Sequence, residues 1–165
     1  MIEVLTTFHK AGWEQYGKRM VETFLQHWPE DVSIHLYCEN VQTGIEHPRV
    51  IEHDIFETCP QIKGYLEQNN NDYNNGIRNG KRDFKYDAIK FCYKVFAQCH
   101  RINHSKADTL MFIDADTVTF ATPPIKQLQQ LLPDDNFTAY IGRPNNNKLP
   151  FAETGFIMYN LRHPN

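Results

Sequence analysis

The sequence predicts an α/β domain with a mostly parallel central sheet and flanking helices. Two observations carry this prediction. The chain opens with a strand–helix–strand pattern, and a compact apolar run in its second half has the length of a buried strand. A chain of 165 residues buries about 70% of its unfolded surface on folding, so residues 1–165 can form a single domain without a disulfide or a metal to stabilise it.

The strand–helix–strand pattern occupies the first part of the chain. Residues 2–8 form an apolar, β-branched run typical of a strand, and residues 32–38 alternate apolar and polar side chains, as a second strand does. Between them, large apolar residues recur at helical spacing over residues 13–28, and Pro29 ends this helix. The pattern predicts two parallel strands joined by a right-handed crossover, and residues 49–55 predict a third, weaker strand.

The middle of the chain changes character at residues 68–80, where six asparagines and two glycines occur within thirteen residues. This segment has too few apolar side chains to pack tightly, so it is interpreted as a mobile loop or lid. A helix is expected to resume near Phe84. Asp87, Lys90 and Lys94 share one of its faces, and an apolar stripe marks the other, formed by Phe84, Ala88, Phe91, Val95 and Cys99.

The second half of the chain is organised around the apolar run at residues 109–113, which fits a central parallel strand covered on both faces. Asp114-Ala115-Asp116 follows this run directly. A short helix is predicted over residues 125–132. Residues 137–141 and 156–159 are further strand candidates, and Glu153-Thr154-Gly155 precedes the last of them.

The composition argues against some classes of function. The formal net charge of −3 is not that of a nucleic-acid binder that relies on a basic surface. No apolar run approaches the roughly 20 residues that span a bilayer, and the N-terminus does not resemble a signal peptide. The four cysteines form no zinc-like cluster. They are therefore predicted to be small buried hydrophobes in a protein of the reducing cytoplasm: Cys38, Cys59, Cys92 and Cys99.

The position of Asp114 and Asp116 indicates a binding site. In open α/β sheets, ligands bind just beyond the carboxyl ends of the strands, and two acids delivered there by a buried strand need a compensating charge. A hard divalent cation, Mg²⁺ or Mn²⁺, would bind both carboxylates and bridge to a diphosphate. The spacing by itself is equally compatible with a solvated turn that binds no ligand.

Four stretches, in this order, resemble the GT-A glycosyltransferases, the nucleotide-diphospho-sugar transferases of Rossmann-like fold. The similarity is closest to the glycogenin-like and galactosyltransferase-like members. Val4-Leu5-Thr6-Thr7-Phe8 is similar to the first strand of the family, and Phe91-Cys92-Tyr93-Lys94 to its lysine-bearing helix. Asp114-Ala115-Asp116-Thr117-Val118 resembles the DxD region, and Glu153-Thr154-Gly155-Phe156-Ile157-Met158-Tyr159-Asn160 resembles the later, glycine-bearing strand.

The resemblance implies a GT-A fold and the transfer of a sugar from a UDP- or GDP-sugar donor to a glycan or another acceptor. It makes Asp116 the main metal ligand, places Asp114 on the metal, the ribose or both, and makes Mn²⁺ or Mg²⁺ the cofactor. Lys94 would contact the diphosphate. The catalytic candidates are Asp116 and Glu153, and Glu153 would orient the donor sugar or act as a general base.

Further donor-binding candidates follow from the resemblance, because the nucleoside binds at the end of the first strand and the donor sugar borders the acidic pair and the glycine-bearing strand. Threonines are also common as plain strand formers, and an acid near the start of a helix can pair with a lysine one turn later. These candidates are Thr6, Thr7, Phe8, Asp87, Ala115, Thr154 and Gly155.

Two alternatives stay open. The family usually continues well past the glycine-bearing strand, so the chain is expected to be a fragment or a naturally short protein, which would bind nucleotide-sugars without completing transfer. His163 lies too close to the last strand to match the metal-binding histidine that many members carry in that later part. Asp114-x-Asp116-x-Val118 also fits the motif of haloacid-dehalogenase-like phosphatases, with Asp114 as the nucleophile, although that motif normally lies near the N-terminus.

Overall fold

The structure, a computed structural model, describes residues 1–142 and 153–164, with Glu153 described by its backbone alone. The described strands are β1 (Ile2–His9), β2 (Ser33–Glu39), β3 (Val50–Asp54), β4 (Asn75–Arg78), β5 (Lys81–Asp87), β6 (Thr109–Ile113), β7 (Thr138–Ile141) and β8 (Glu153–Asn160). The helices are α1 (Lys10–Gly12), α2 (Lys18–His27), α3 (Ile55–Thr58), α4 (Gln61–Asn69), α5 (Ala88–His104) and α6 (Ile125–Gln130). A π-helical stretch, Trp13–Gly17, joins α1 to α2.

Six of these strands form one central sheet in the order β3-β2-β1-β6-β8-β7. Strands β1, β2, β3 and β6 are parallel, whereas β8 pairs antiparallel with β6, and β7 pairs antiparallel with β8. The predicted α/β class with a mostly parallel sheet is therefore confirmed. The strand order reverses beside β1, because β2 and β3 lie on one side of it and β6 on the other. In open α/β sheets this reversal is where ligands bind.

Both faces of the sheet are covered, which creates two hydrophobic layers. Helix α2 covers one face through Phe24 and its apolar neighbours, which pack on alternate residues of β1 and β2. Helices α3, α4 and α5 cover the other face through residues such as Ile62 and Ala97. All five residues of β6 are buried because this strand lies between the two layers, as predicted. It is central in the sheet but parallel only to β1, since β8 on its other side is antiparallel.

Most of the predicted elements agree with the structure. The strands predicted at residues 2–8, 32–38, 49–55, 109–113 and 137–141 are confirmed within one or two residues. The strand predicted at residues 156–159 is also present, but it begins three residues earlier, at Glu153. The first helix begins earlier than predicted, at Lys10, because the ring of His9 caps it by accepting a hydrogen bond from the Gly12 N–H at 3.0 Å. Helices α3 and α4 lie in a segment for which the sequence predicted no element.

The segment at residues 68–80, predicted as a mobile loop or lid, contains regular secondary structure, so the prediction of a loop was wrong, whereas its mobility stays a prediction. It contains the end of α4 and the strand β4, which pairs antiparallel with β5 in a separate hairpin. Asn79 and Gly80 form the turn of this hairpin with φ angles of 52° and 71°. An Asn-Gly pair tolerates positive φ at both positions and is a strong hairpin signal. The prediction weighed the asparagine content of the segment and overlooked this turn signal.

Helix α5 begins at Ala88, not near Phe84, and it turns a different face to the sheet from the one predicted. Phe84 lies in β5, and both it and Val95 are more than half exposed, at 58% and 56%. The face that packs on the sheet carries side chains with polar ends, each bonded to a partner in or beside a strand: Lys94 to Asp114, Gln98 to Tyr159 and Arg101 to Glu3. Because buried polar groups with partners are tolerated in a core, apolar periodicity did not identify the buried face.

The cysteine prediction is confirmed for three residues and wrong for the fourth. Cys38, Cys59 and Cys92 are buried, whereas Cys99 is exposed, on the outer face of α5. All four thiols are free. Across the described ranges, no helix combines the length and the apolar character needed to cross a membrane.

Candidate functional site

A cleft of about 340 Å³ opens at the carboxyl edge of the sheet, where β1, β2 and β6 end. It lies beside the reversal of strand order, as expected for a ligand site in an open α/β sheet. The strand ends line one side of the cleft, and β5 with the first half of α5 lines another. The lining residues are Thr7, Phe8, His9, Tyr16, Tyr37, Glu39, Ile55, Phe84, Lys90, Phe91, Tyr93, Lys94, Asp114, Ala115 and Asp116.

The acidic pair stands on a tight turn directly after β6. The backbone N–H of Asp114 donates to the carbonyl of Gly155 at 2.8 Å, and the carbonyl of Asp114 accepts from the N–H of Thr117 at 3.0 Å. Ala115, between the two acids in sequence, is buried. Asp114 is half-exposed and Asp116 is exposed, and both line the cleft.

Lys94 connects the acidic pair to helix α5. Its Nζ lies 2.7 Å from Oδ1 of Asp114 and donates to the carbonyl oxygen of Thr154 at 2.9 Å. It also lies 4.5 Å from the centroid of the Phe112 ring, in the geometry of a cation–π contact. A lysine ammonium has three donors, and the described residues accept from two of them. The structure thus places a cation and two carboxylates together in the cleft.

The residues predicted on the first strand divide between the cleft and the core. Thr7 and Phe8 line the cleft. The side chain of Thr6 is fully buried and does not line it, and its Oγ1 has no hydrogen-bond partner among the described residues. Adjacent strand residues point to opposite faces of a sheet, so Thr6 and Thr7 cannot both project in the same direction.

Asp87 has a different position from the one that the sequence suggested. It precedes α5 as its N-cap, and its Oδ1 accepts from the N–H of Lys90 at 2.8 Å. Its Oδ2 pairs with Arg82 of β5 at 2.6 Å, and the residue is only 1% exposed. Burial would raise the pKa of Asp87, but the hydrogen bonds from Arg82 and Lys90 outweigh it and hold that pKa below its ordinary value. Asp87 does not line the cleft, whereas Lys90, interpreted from the sequence as a surface partner of Asp87, does.

The start of β8 meets the acidic pair through its backbone. The carbonyl of Thr154 binds Lys94, and the carbonyl of Gly155 binds Asp114. Glu153 begins the strand, and its side chain lies outside the described residues. Three of the stretches that resemble the family therefore meet at one place. The helix residue Lys94 and the DxD residue Asp114 both contact the backbone of the glycine-bearing strand, at Thr154 and Gly155.

His163 lies at the opposite edge of the sheet from the acidic pair. Strand β8 pairs Phe156 with Ile113 at one end and Asn160 with Thr109 at the other, so the residues that follow it are distant from Asp114. The ring of His163 contacts the carbonyl of Asp135 through Nε2 at 3.2 Å. This histidine is not part of the site.

Sequence reasoning missed Glu39 and Tyr93, which both line the cleft. Each of them influences the pKa of the other. Burial raises the pKa of Glu39, and His9 and Tyr93 moderate that rise. Burial and the neighbouring Glu39 raise the pKa of Tyr93 to about 12. The position of Glu39 at the very end of β2 was the available signal, since acids there commonly face ligands in doubly wound sheets.

Sequence reasoning also missed Tyr16. It lines the cleft from the π-helical stretch, although its spacing in the sequence marked it only as part of an apolar helix stripe. Burial, and then the negative charges of Asp116 and Asp114, raise the pKa of Tyr16 above its ordinary value. The hydroxyl is therefore close enough to the acidic pair to sense its charge.

The cleft offers two carboxylates to the expected metal, on Asp114 and Asp116. Within residues 1–142 and 153–164, no group of three or more histidine, cysteine and carboxylate side chains could hold a metal ion. Asp114 and Asp116 would supply two carboxylates, and the remaining ligands would come from a substrate and from water. Mg²⁺ typically binds in this way, through one or two carboxylates plus phosphate oxygens. The residues present fit a cation that is bound together with a diphosphate.

The fold is that of the GT-A glycosyltransferases, because the structure is similar to solved members of this class over nearly its whole length. The chain is similar to mouse xyloside xylosyltransferase 1, with a TM-score of 0.57 and 15% identity over 99% of this chain and 68% of that one. It is also similar to the bifunctional glycosyltransferase WbbM, with a TM-score of 0.58 and 13% identity over 98% of this chain and 32% of that one.

A third similar structure is the galactosyltransferase LgtC, solved with donor and acceptor sugar analogues. Its TM-score is 0.52, and the 10% identity covers 98% of this chain and 58% of that one. No family model and no curated protein matches the sequence. The chain thus spans between 32% and 68% of the length of these three proteins, and at such low identities the similarity establishes the fold alone.

Proposed function

We propose that the cleft binds a nucleoside-diphosphate sugar, a UDP- or GDP-sugar, together with Mn²⁺ or Mg²⁺, and that the protein is a metal-dependent glycosyltransferase. The observation that carries this proposal is the ion pair between Lys94 and Asp114, with Asp116 beside it, at the strand-order reversal of a GT-A sheet. Carboxylates for a cation and an ammonium for a diphosphate occupy the same cleft.

Sugar transfer breaks the bond between the anomeric carbon and the diphosphate, so negative charge develops on the departing diphosphate. A bound Mn²⁺ or Mg²⁺, held by Asp114 and Asp116, would act as a Lewis acid that stabilises this charge. Lys94 adds a second positive charge. Its ammonium is held by Asp114 and by the Thr154 carbonyl, so it is oriented before the ligand arrives. Thr7 and Phe8, at the end of β1, would border the nucleoside.

The donor sugar would lie near the start of β8, where the backbone of Thr154 and Gly155 approaches the acidic pair. Glu153 stays a catalytic candidate from the resemblance, as the group that orients the sugar or removes the proton of the acceptor hydroxyl. Donor binding is the primary proposal. Transfer to a glycan or another acceptor, in the reducing cytoplasm where the four free thiols stay reduced, is its extension.

The test of donor binding is a thermal-shift panel of UDP-, GDP- and CDP-sugars, each with Mn²⁺ and with EDTA. We expect one nucleotide class to raise the melting temperature by about 5–10 °C when it is present near 100 times its Kd, and only with the metal. The Asp116→Asn variant should lose this metal-dependent shift while melting at the wild-type temperature without ligand, because Asp116 is exposed. Asp135→Asn, at an exposed position outside the cleft, is the matched control.

Two outcomes would count against the proposal. One is the absence of a shift with any nucleotide-sugar in either condition. The other is Mg²⁺-dependent hydrolysis of p-nitrophenyl phosphate that Asp114→Asn abolishes, which would favour the phosphatase alternative. Release of the nucleoside diphosphate from the bound donor, stimulated by an added acceptor sugar, would extend the conclusion from binding to transfer.

A further inference from the structure

Tyr16 enters the cleft from an irregular part of the first helix. The π-helical stretch Trp13–Gly17 lies between two α-helical segments, and its last turn closes through the Lys18 N–H and the Trp13 carbonyl. A π turn is wider than an α turn, and such turns are rare and occur frequently at functional sites. This one begins only four residues after the end of β1, so it lies at the carboxyl edge of the sheet.

Glycine at position 12 allows the Tyr16 ring to take its place. A Cβ atom on Gly12 would lie 2.6 Å from the hydroxyl oxygen of Tyr16 and 3.0 Å from its Cζ. The ring therefore rests on the bare backbone of the preceding turn. Gly17 is similarly confined, since a Cβ there would lie 3.0 Å from Cε3 of Trp13 and 3.2 Å from Cδ1 of Phe8. Glycine costs about 1 kcal/mol relative to alanine inside a helix. At both positions this cost accompanies an aromatic ring that leaves no room for a Cβ atom.

The hydroxyl of Tyr16 has no hydrogen-bond partner among residues 1–142 and 153–164. The side chain is half-buried and lines the cleft beside Asp114 and Asp116. A tyrosine hydroxyl is protonated at neutral pH, so it can act as a hydrogen-bond donor. A half-buried donor without a partner, on a side chain that lines a cleft, is suited to an acceptor that enters with a ligand.

We propose that Tyr16 is a donor-binding residue whose hydroxyl donates a hydrogen bond to the diphosphate of the bound nucleotide. The inference rests on the proposed function, because it needs a diphosphate at the acidic pair. It assigns the π-helical stretch and Gly12 a role that the fold alone does not require. The π-helical stretch positions the Tyr16 side chain in the lining of the cleft, and Gly12 leaves the space that its ring occupies.

The test compares Tyr16→Phe with the wild type in calorimetric titrations of UDP, GDP and CDP in the presence of Mn²⁺. Hydrogen bonds to charged acceptors are strong, so we expect the Kd of the preferred nucleotide to rise about tenfold or more. The melting temperature without ligand should not change, because the described residues accept no hydrogen bond from this hydroxyl. Tyr140→Phe removes a hydroxyl from an exposed tyrosine on β7, outside the cleft, and should bind as the wild type does.

A double-variant cycle tests the part played by Gly12. The methyl group of Gly12→Ala would displace the phenol, so this variant should lose nucleotide affinity by a factor similar to that of Tyr16→Phe. Because both changes remove the same contact, the combined variant should bind no more weakly than Gly12→Ala alone. Additive losses would show that Gly12 acts through something other than the phenol. If Gly12→Ala does not fold, Tyr16→Phe alone decides the proposal.

The failure of this inference is distinguishable from the failure of the proposed function. If the wild-type protein binds none of the nucleotides with Mn²⁺, both the proposed function and the role of Tyr16 are contradicted. If the wild-type protein binds one of them and the Kd of Tyr16→Phe stays within twofold of the wild-type value, only the role of Tyr16 is contradicted.

Discussion

Helix α5 holds two pairs of a cation and a carboxylate, Lys94 with Asp114 and Arg101 with Glu3, and they differ in what surrounds them. Both pairs are short, with nitrogen–oxygen distances of 2.7 Å. The Arg101 and Glu3 side chains are enclosed, with 12% and 9% exposed, whereas Asp114 is 42% exposed at the cleft. The same helix face therefore carries a closed pair and an open one.

The closed pair is saturated by its protein neighbours. Glu3 accepts hydrogen bonds from Nε and Nη2 of Arg101, at 2.7 and 3.2 Å, and from the hydroxyl of Ser105 at 2.7 Å. Burial would raise the pKa of Glu3, but Arg101 and Ser105 outweigh it and lower that pKa. A histidine cluster, defined by His35, His53, His100 and His104, continues from this pair. The rings of His35 and His53 stack on each other, as do those of His100 and the exposed His104, whereas the rings of His53 and His100 are tilted.

The open pair leaves acceptor groups directed at solvent. Lys94 contacts one oxygen of Asp114, and Asp116 beside it is exposed in the cleft. A buried, saturated pair contributes to the structure of the fold, whereas a pair open to a cleft can exchange partners with a ligand. Changes to the two pairs should therefore affect different measurements, stability for the first and ligand affinity for the second.

The largest expected effect is on the closed pair. Arg101→Met leaves the Glu3 carboxylate buried without its cation, which should lower the free energy of unfolding by about 3–5 kcal/mol in urea denaturation. The Glu3→Leu/Arg101→Met double variant removes both charges and should recover most of that loss, because replacing a whole buried pair by apolar groups is often neutral. A loss below about 1 kcal/mol in the single variant would show that water reaches Glu3.

The next effect concerns the pH dependence of the histidine cluster. Burial, and then the charge of Arg101, lower the pKa of His35 to about 4, and burial lowers that of His53 to a similar value. An unfolded histidine has a pKa near 6.5, so below that pH the unfolded chain binds more protons than the folded one. Stability should therefore fall as the pH drops from 7 to 5, by on the order of 2 kcal/mol for the buried His35.

Urea denaturation at pH 5, 6 and 7 measures this dependence. His35→Gln should remove the share of His35, and the remaining dependence should persist because the pKa values of His53 and His100 are lowered too. The window avoids Glu3, whose lowered pKa makes its contribution disappear only at a pH below its ordinary value of 4.5. An unchanged slope in His35→Gln would mean that His35 is not held neutral in the fold.

The smallest effect in free energy concerns the open pair, and it should appear in ligand binding. Lys94→Met should weaken the Mn²⁺-dependent affinity for the preferred nucleotide about tenfold, or about 1.4 kcal/mol, because the diphosphate loses one cation. The free energy of unfolding without ligand should change by less than about 1 kcal/mol, because Asp114 remains solvated. Lys85→Met, at an exposed position on β5 outside the cleft, is the control. A large loss of stability with unchanged nucleotide affinity would mean that Lys94, like Arg101, stabilises the fold and does not bind the ligand.

The sequence predicted much of the fold because the information is local. Strand periodicity, helical spacing and the apolar run before Asp114 are properties of adjacent residues, and these elements are confirmed. The helix face that packs on the sheet was predicted wrongly for the same reason. The predicted stripe is apolar, but Val95 is exposed and Phe91 lines the cleft. The face through Lys94 and Arg101 is polar but faces strands that supply partners.

The candidate site could be predicted in part. The acidic pair, Lys94, Thr7 and Phe8 were named from motifs and line the cleft. Tyr16 and Glu39 were not, because each is near its partners only after the strands and the first helix have packed. Thr6 and Asp87 were named and lie away from the cleft, since the alternation of β1 and the pairing with Arg82 turn them elsewhere.

The sequence by itself determined the order of the elements and the delivery of Asp114 and Asp116 by a buried strand, because hydrophobic periodicity and the end of an apolar run are read along the chain. Only the tertiary structure decided which polar groups meet. Glu3 and Arg101 are 98 residues apart in sequence, and Lys94 and Thr154 are 60 apart. Whether such groups form a closed pair or an open cleft depends on which strands are adjacent in the sheet, and no local pattern encodes that adjacency.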